Sequence, residues 1–195
     1  MRKKGRAWII TGLLLITAAL GLVVYNVIDD LRAAKASRET LESILEDIID
    51  SGITSKPDYY GKDMPTVVID GVEYVGVLSI PELGLDLPVK NEWSYVGLRT
   101  SPCRYVGSAY RNDLVICAHN YNHHFGLLKT LNYGTEVIFT DVVGNVFKYE
   151  ISEIETLIPT AVEEMITSSE AWDMTLFTCT IGGRTRVTVR CSLQK

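Results

Sequence analysis

Hydrophobic and polar positions divide this chain into three regimes. No charged residue occurs from Ala7 to Ile28, and the apolar run from Trp8 to Tyr25 has the length that crosses a bilayer as one helix. From Asp29 to Ser51 apolar residues recur at spacings of three and four, through Leu31, Ala34, Leu41, Leu45 and Ile48, with Arg38 on the same stripe. That period predicts an amphipathic helix, ended by Gly52, which packs on the rest of the protein or lifts it off the membrane. Ser55 to Pro65, with two prolines and Gly61, reads as a linker. Beyond it the period becomes two. Strands are expected at Thr66–Ile69 and Glu73–Ile80 across the hairpin dipeptide Asp70-Gly71, then at Asp86–Val89, Asp113–Ala118, Glu136–Thr140 and Val146–Ser152. A C-terminal hairpin brings the total to about eight, with short helices near Phe125–Leu131 and Ala161–Ile166. Many short, evenly spaced strands predict a mostly β chain closed into a barrel.

The C-terminal hairpin carries the chemistry. Thr175-Leu176-Phe177-Thr178-Cys179 and Arg184 to Val189 flank a Gly182-Gly183 turn. Thr175, Phe177 and Cys179 share one face of the first strand; Arg184, Arg186, Thr188 and Arg190 share one face of the second. The other face of the second strand, Val187, Val189, Cys191 and Leu193, is expected in the core. Pairing then sets Cys179 beside a guanidinium on a solvated face, which favours a thiolate and offers a donor to a developing oxyanion. By parity alone both Arg184 and Arg186 qualify.

A cysteine nucleophile needs a histidine, and the chain has three: His119, His123 and His124. His119 ends a strand whose apolar face is Leu114, Ile116 and Ala118, so it points away from the core. Cys117 shares its face and is expected near the site as a spectator, a redox brake or half of a disulfide. Cys103 and Cys191 are expected to be structural, and His123 and His124 to be exposed loop residues.

Charge adds a direction. Arg2, Lys3, Lys4 and Arg6 precede the apolar run; setting these four aside, 15 basic residues face 24 acidic ones, a charge of −9 against −5 for the whole chain. Positive residues stay inside, so Met1 to Arg6 are expected in the cytoplasm and everything after Asp29 outside, with Trp8 and Tyr25 as interfacial anchors. The length of the run, with no small-x-small cleavage site, favours an anchor over a cleaved signal. The acidic body argues against nucleic acid. No phosphate-binding or dinucleotide fingerprint is present, and Cys117-x-His119 is not a usual zinc spacing, so neither cofactor nor metal is expected.

On these residues the chain resembles the sortases, Gram-positive transpeptidases that attach surface proteins to the cell wall or polymerise pilins. The Thr175–Cys179 pentad is similar to their Thr-Leu-x-Thr-Cys signature, and Ala118-His119-Asn120 to their Gly-His-Asn. Gly76 to Leu83 with Leu87-Pro88-Val89 resembles their first-strand pattern, and Phe125-Gly126-Leu127-Leu128 the segment after the histidine. The likeness runs from roughly Val72 to the C-terminus. It implies Cys179 as nucleophile, His119 as the essential histidine and Arg186, which immediately precedes an apolar strand, as the essential arginine. Glu153, Glu155, Glu163 and Glu164 lack the spacing of the calcium site of class A sortases. The six residues between Cys179 and Arg186 and the N-terminal helix are most similar to class B, with class D as an alternative, while Asp58-Tyr59-Tyr60 only faintly resembles a class C lid.

The organisation this implies is a basic cytoplasmic tail at 1–6, an anchor at 7–28, a helical stalk and linker at 29–65 and a catalytic domain at 66–195. The function implied is cleavage of a Leu-Pro-x-Thr-Gly-like sorting signal on surface proteins or pilins through a thioacyl intermediate. The acyl group would pass to an amine of a peptidoglycan precursor such as lipid II or to a pilin lysine. Two rivals stand beside it: a papain-type hydrolase, in which the cysteine would precede the histidine, and an inactive barrel that only binds.

Overall fold

The computed structural model describes residues 2–50, 63–167 and 171–194. Nine strands share one sheet: β1 (Val67–Ile69), β2 (Val72–Ile80), β3 (Leu85–Lys90), β4 (Cys103–Val106), β5 (Leu114–Ala118), β6 (Glu136–Asp141), β7 (Val146–Leu157), β8 (Met174–Cys179) and β9 (Arg186–Leu193). They run in the order β1-β2-β3-β4-β5-β8-β9-β7-β6, and pairing of β2 with β6 closes β2 to β9 into an eight-stranded barrel. This is the mostly β barrel that the period of two predicts. Closure depends on Gly76, because a Cβ there would lie 2.2 Å from the Thr140 carbonyl oxygen.

Inside the barrel lie Leu78, Leu114, Ile116, Phe139, Leu176 and Val189. A second apolar cluster covers the outside of the wall, where Val115, Cys117 and Phe177 meet Leu98 and Met165. The parallel pair β5–β8 is therefore buried on both faces, as parallel strands generally are.

Three local expectations change. Strand β4 is additional; it is short, lies between Pro102 and Gly107, and meets β3 at a single register pair, Lys90 with Cys103. Strand β7 extends to Leu157, and the Phe125–Leu131 stretch forms turns with a 3₁₀ turn at Leu128–Thr130. The outer face of β9 is not solvated, since Thr188 and Arg190 are buried. The segment that carries α2 (Val162–Ile166) covers it, and its backbone carbonyls join side chains of β7 and β8 as the partners a buried guanidinium needs. Arg190 donates to Glu155 Oε1 at 2.9 Å, to Thr175 Oγ1 at 2.9 Å and to the Glu164 carbonyl at 2.7 Å, and lies 4.6 Å from the Trp172 ring centroid.

The N-terminal segment is one unbroken helix, α1 (Arg2–Asp50). Among the described residues it is the one helix long and apolar enough to cross a membrane, and its apolar side chains from Trp8 to Ile28 are exposed. Its second half lies on β1 and β3. The docked stripe differs from the sequence reading: Ala33, Ser37 and Ile44 are buried, while Leu31 is 55% and Leu45 44% exposed. Ile44 packs on Tyr74 and Val77, and Ser37 donates to the Thr100 carbonyl at 2.7 Å. A small residue and a directed hydrogen bond thus select the face, which side-chain size alone does not. Gly52, the linker up to Lys62 with Asp58-Tyr59-Tyr60, and the side chain of Ile48 lie outside the described residues; beyond them Met64 is buried in the core.

Candidate active site

Strands β5 and β8 run parallel in register from Leu114 beside Met174 to Ala118 beside Thr178. The next residue of each chain segment is His119 and Cys179. Thr178 Oγ1 donates to the Ala118 carbonyl at 2.8 Å and ties the two strand ends together immediately before these residues. On the other side of β8, Cys179 stands opposite Arg186 in the antiparallel register with β9. His119, Cys179 and Arg186 are thereby brought to the same end of three adjacent strands.

The turn between Cys179 and Arg186 orients the arginine. Gly182 and Gly183 have φ of +83° and +69°, a conformation that side chains with a Cβ rarely adopt. The turn closes through Gly183 N–H to the Thr180 carbonyl at 2.8 Å and Thr180 N–H to the Thr185 carbonyl at 3.0 Å. Arg186 Nη1 donates to the carbonyls of Gly183 and Thr185, each at 3.1 Å. Its guanidinium is held on the turn. Arg184 lies within the turn, exposed, and outside β9, so register separates two arginines that strand parity leaves equivalent.

The histidine loop is pinned from below. Phe125 N–H donates to the His119 carbonyl at 3.2 Å, and the Phe125 side chain is fully buried in the core. Burial first, and then the charge of Arg99, hold the His119 imidazole below its ordinary pKa, while Asp29 acts in the opposite direction. Removing a positive neighbour favours the imidazolium, so Arg99→Gln is expected to raise the His119 pKa and Asp29→Asn to lower it. An NMR titration of the imidazole reads both, and a fall in Arg99→Gln would contradict this electrostatic picture.

His124 does not match the expectation of an exposed loop residue. It is fully buried beneath α1, and burial pushes its pKa down to about 4. Because the Ser37 hydroxyl donates to the Thr100 carbonyl, Nε2–H of His124 is the donor to Ser37 Oγ at 3.3 Å. Nδ1 then remains a bare acceptor without a partner. An imidazole buried neutral protonates more readily in the unfolded chain, so its contribution is complete above pH 6.5 and is lost as the pH falls toward 4. A loss on the order of 2–3 kcal/mol is expected between neutral pH and pH 4, and His124→Gln should flatten that slope in urea unfolding. An unchanged slope would mean that His124 titrates alike in both states.

Cys117 lies between Cys103, its register partner on β4, and the Cys179 side of the sheet. Burial pushes the Cys117 thiol up, and Cys103 adds to the effect. A thiol kept protonated is a poor nucleophile. The four glutamates, Glu153, Glu155, Glu163 and Glu164, line one cleft, but the Arg190 guanidinium lies in it. Among the described residues no group of three His, Cys, Asp or Glu is arranged to hold a metal ion.

Four residues around the site, Tyr121, Asp29, Asp30 and Arg99, belong to no sequence motif. The Tyr121 ring is tilted 45° to the His119 ring, 5.1 Å between centroids, and its hydroxyl donates to Asp29 Oδ2 at 2.5 Å. Asp30 meets His123 Nδ1 at 3.0 Å, and the Arg99 charge adds to the effect of burial at His119. The available signal was an acidic pair placed directly after a long uncharged run.

A family model for the sortase domain matches residues 78–194. The chain belongs to the sortase family. Solved sortases share its fold. Sortase C1 from Streptococcus suis is 25% identical, with a TM-score of 0.55 over 63% of this chain and 73% of that one. A sortase D5 transpeptidase from Clostridium perfringens is 20% identical, with a TM-score of 0.62 over 83% of this chain and 99% of that one. Sortase C from Streptococcus pneumoniae is 21% identical, with a TM-score of 0.58 over 86% and 94%. A search of the curated proteins finds no match. Membership of the sortase family makes the chain a cysteine transpeptidase of cell-wall sorting.

Proposed function

We propose that this sortase is a single-pass membrane enzyme, N-terminus in the cytoplasm and barrel outside, that cleaves a Leu-Pro-x-Thr-Gly-like signal and transfers the acyl group to an amine. What supports this reading is the convergence of His119, Cys179 and Arg186 at one end of β5, β8 and β9. Cys179 passes its thiol proton to His119 as the sulfur attacks the threonine carbonyl, and the developing oxyanion takes hydrogen bonds from Arg186. Collapse of the tetrahedral species breaks the threonine–glycine bond, and His119 supplies the proton to the leaving amine. The thioacyl enzyme is then attacked by the acceptor amine, whose proton His119 removes, and Cys179 is released. Lipid II or a pilin lysine has the required amine. The six-residue link after Cys179 and the helix docked on the barrel support a class B or class D assignment.

The same three side chains with water as acceptor would be a peptidase. The two are separated by partition: with a sorting peptide and a small primary amine, the amide product should increase with amine concentration at the expense of the free acid. Hydrolysis unaffected by the amine would favour the peptidase. Orientation is tested separately, since protease added to intact protoplasts should digest the barrel; full protection behind a sealed membrane would reverse the topology.

A further inference from the structure

Helix α1 passes without a break from its uncharged half into the half docked on the barrel, so the height of the barrel above the membrane is set by the helix itself. The uncharged run Ala7–Ile28 spans about 33 Å at 1.5 Å per residue, close to the thickness of a bilayer core, so no spare helix lifts the barrel away. Asp29 and Asp30 are the first charges after that run, and carboxylates are excluded from hydrocarbon, so they mark the lipid surface. Both are bonded to the loop that follows His119. Asp29 accepts from the Tyr121 hydroxyl, and Asp30 accepts the His123 N–H at 3.3 Å as well as meeting its ring.

The last turn of the uncharged run reaches further. Asn26 and Val27 line a cleft together with Asn120, Tyr121, Asn122 and Ile181. Ile181 sits at the turn between Cys179 and Arg186 and is 90% exposed, beside two glycines that carry no side chain to shield it. A large aliphatic side chain at a turn tip, level with the end of a membrane span, fits a lipid surface. Arg184, exposed on the same turn, can extend its guanidinium to lipid phosphates.

We propose that the end of the barrel carrying His119 and Cys179 rests on the bilayer, with Ile181 inserted in the lipid interface and the Asp29–Tyr121 and Asp30–His123 contacts fixing that pose. The proposal rests on the anchor reading given above. Cys179 then opens at the membrane surface, where a donor held by its own membrane segment and a lipid-linked acceptor both present their reacting groups.

The test uses the full chain in phosphatidylcholine–phosphatidylglycerol nanodiscs loaded with one copy each. A Cys179→Ala background removes the only cysteine that is not buried, and a fluorophore is placed on Ile181→Cys or on Val143→Cys. Val143 lies in the β6–β7 turn, at the far end of β7 from Leu157, the register partner of Arg186. Quenching by headgroup nitroxide lipids should be roughly threefold or more stronger at 181 than at 143, because an interfacial side chain sits within the headgroup layer. Equal quenching at the two sites overturns the proposal. Asp29→Asn with Asp30→Asn should bring the quenching at 181 toward that at 143, and unchanged quenching would remove the two carboxylates from the account. A chain that fails to co-migrate with the nanodisc would instead contradict the anchor reading.

Discussion

Cys179→Ala is expected to abolish acyl-enzyme formation, lowering turnover of a sorting peptide on the order of a thousandfold or more, whereas Cys117→Ala should stay within a fewfold of the parent. Two thiols lie on adjacent strands near His119, and burial separates them. Cys179 is half-buried at the strand end, next in line after the Ala118–Thr178 register pair. Cys117 is enclosed with Leu98, Val115 and Phe177, and its burial holds the thiol protonated. A deep loss in Cys117→Ala with an active Cys179→Ala would move the nucleophile to β5. Cys117→Ala removes atoms from a packed cluster, so thermal unfolding of the variant should be measured alongside to separate stability from chemistry.

Arg186→Ala should lower kcat by roughly a hundredfold or more with a modest change in KM, and Arg184→Ala by less than about tenfold. A donor to an oxyanion acts only as charge develops, so its loss is read in kcat. An exposed charge that merely modifies the surroundings through solvent is screened. The contacts of Arg186 with the Gly183 and Thr185 carbonyls hold its guanidinium on the turn at the register position of Cys179. Lysine at this position should rescue poorly, because an ammonium lacks the planar fork that bonds the turn and an oxyanion together. Unfolding within about 2 °C of the parent would show that the turn survives in both variants. Equal losses at 184 and 186 would contradict the role assigned by register.

The parts of this protein that could be read from its residues are those governed by local period. Alternation along Thr175–Cys179 and Arg186–Val189 places Cys179 and Arg186 on one face because side chains alternate strictly in a strand, and the observed register keeps them paired. The apolar run of α1 is legible because it depends on composition and length alone. What was not legible depends on pieces of chain far apart in sequence. His124 reads as a loop residue until α1 covers it with Ser37, 87 residues away. Arg190 reads as solvated until the segment around α2 closes over it with two backbone carbonyls, beside Glu155 of β7 and Trp172. Strand β4 has too few residues to show a period, and it is held mainly by its pairing with β5. The docked stripe of α1 contains a serine and an alanine, so a search for large apolar residues selects a neighbouring face.

Cys179 is expected to form a thioacyl bond with a sorting signal, and intact-protein mass spectrometry detects that bond itself. The full chain in detergent is mixed with a Leu-Pro-x-Thr-Gly peptide series, stopped in acid and digested to locate the adduct. The expected result is an added mass equal to the peptide through its threonine, less one water, on Cys179 alone, lost when an amine is supplied. No adduct with any peptide of the series, or an adduct on Cys117, would contradict it.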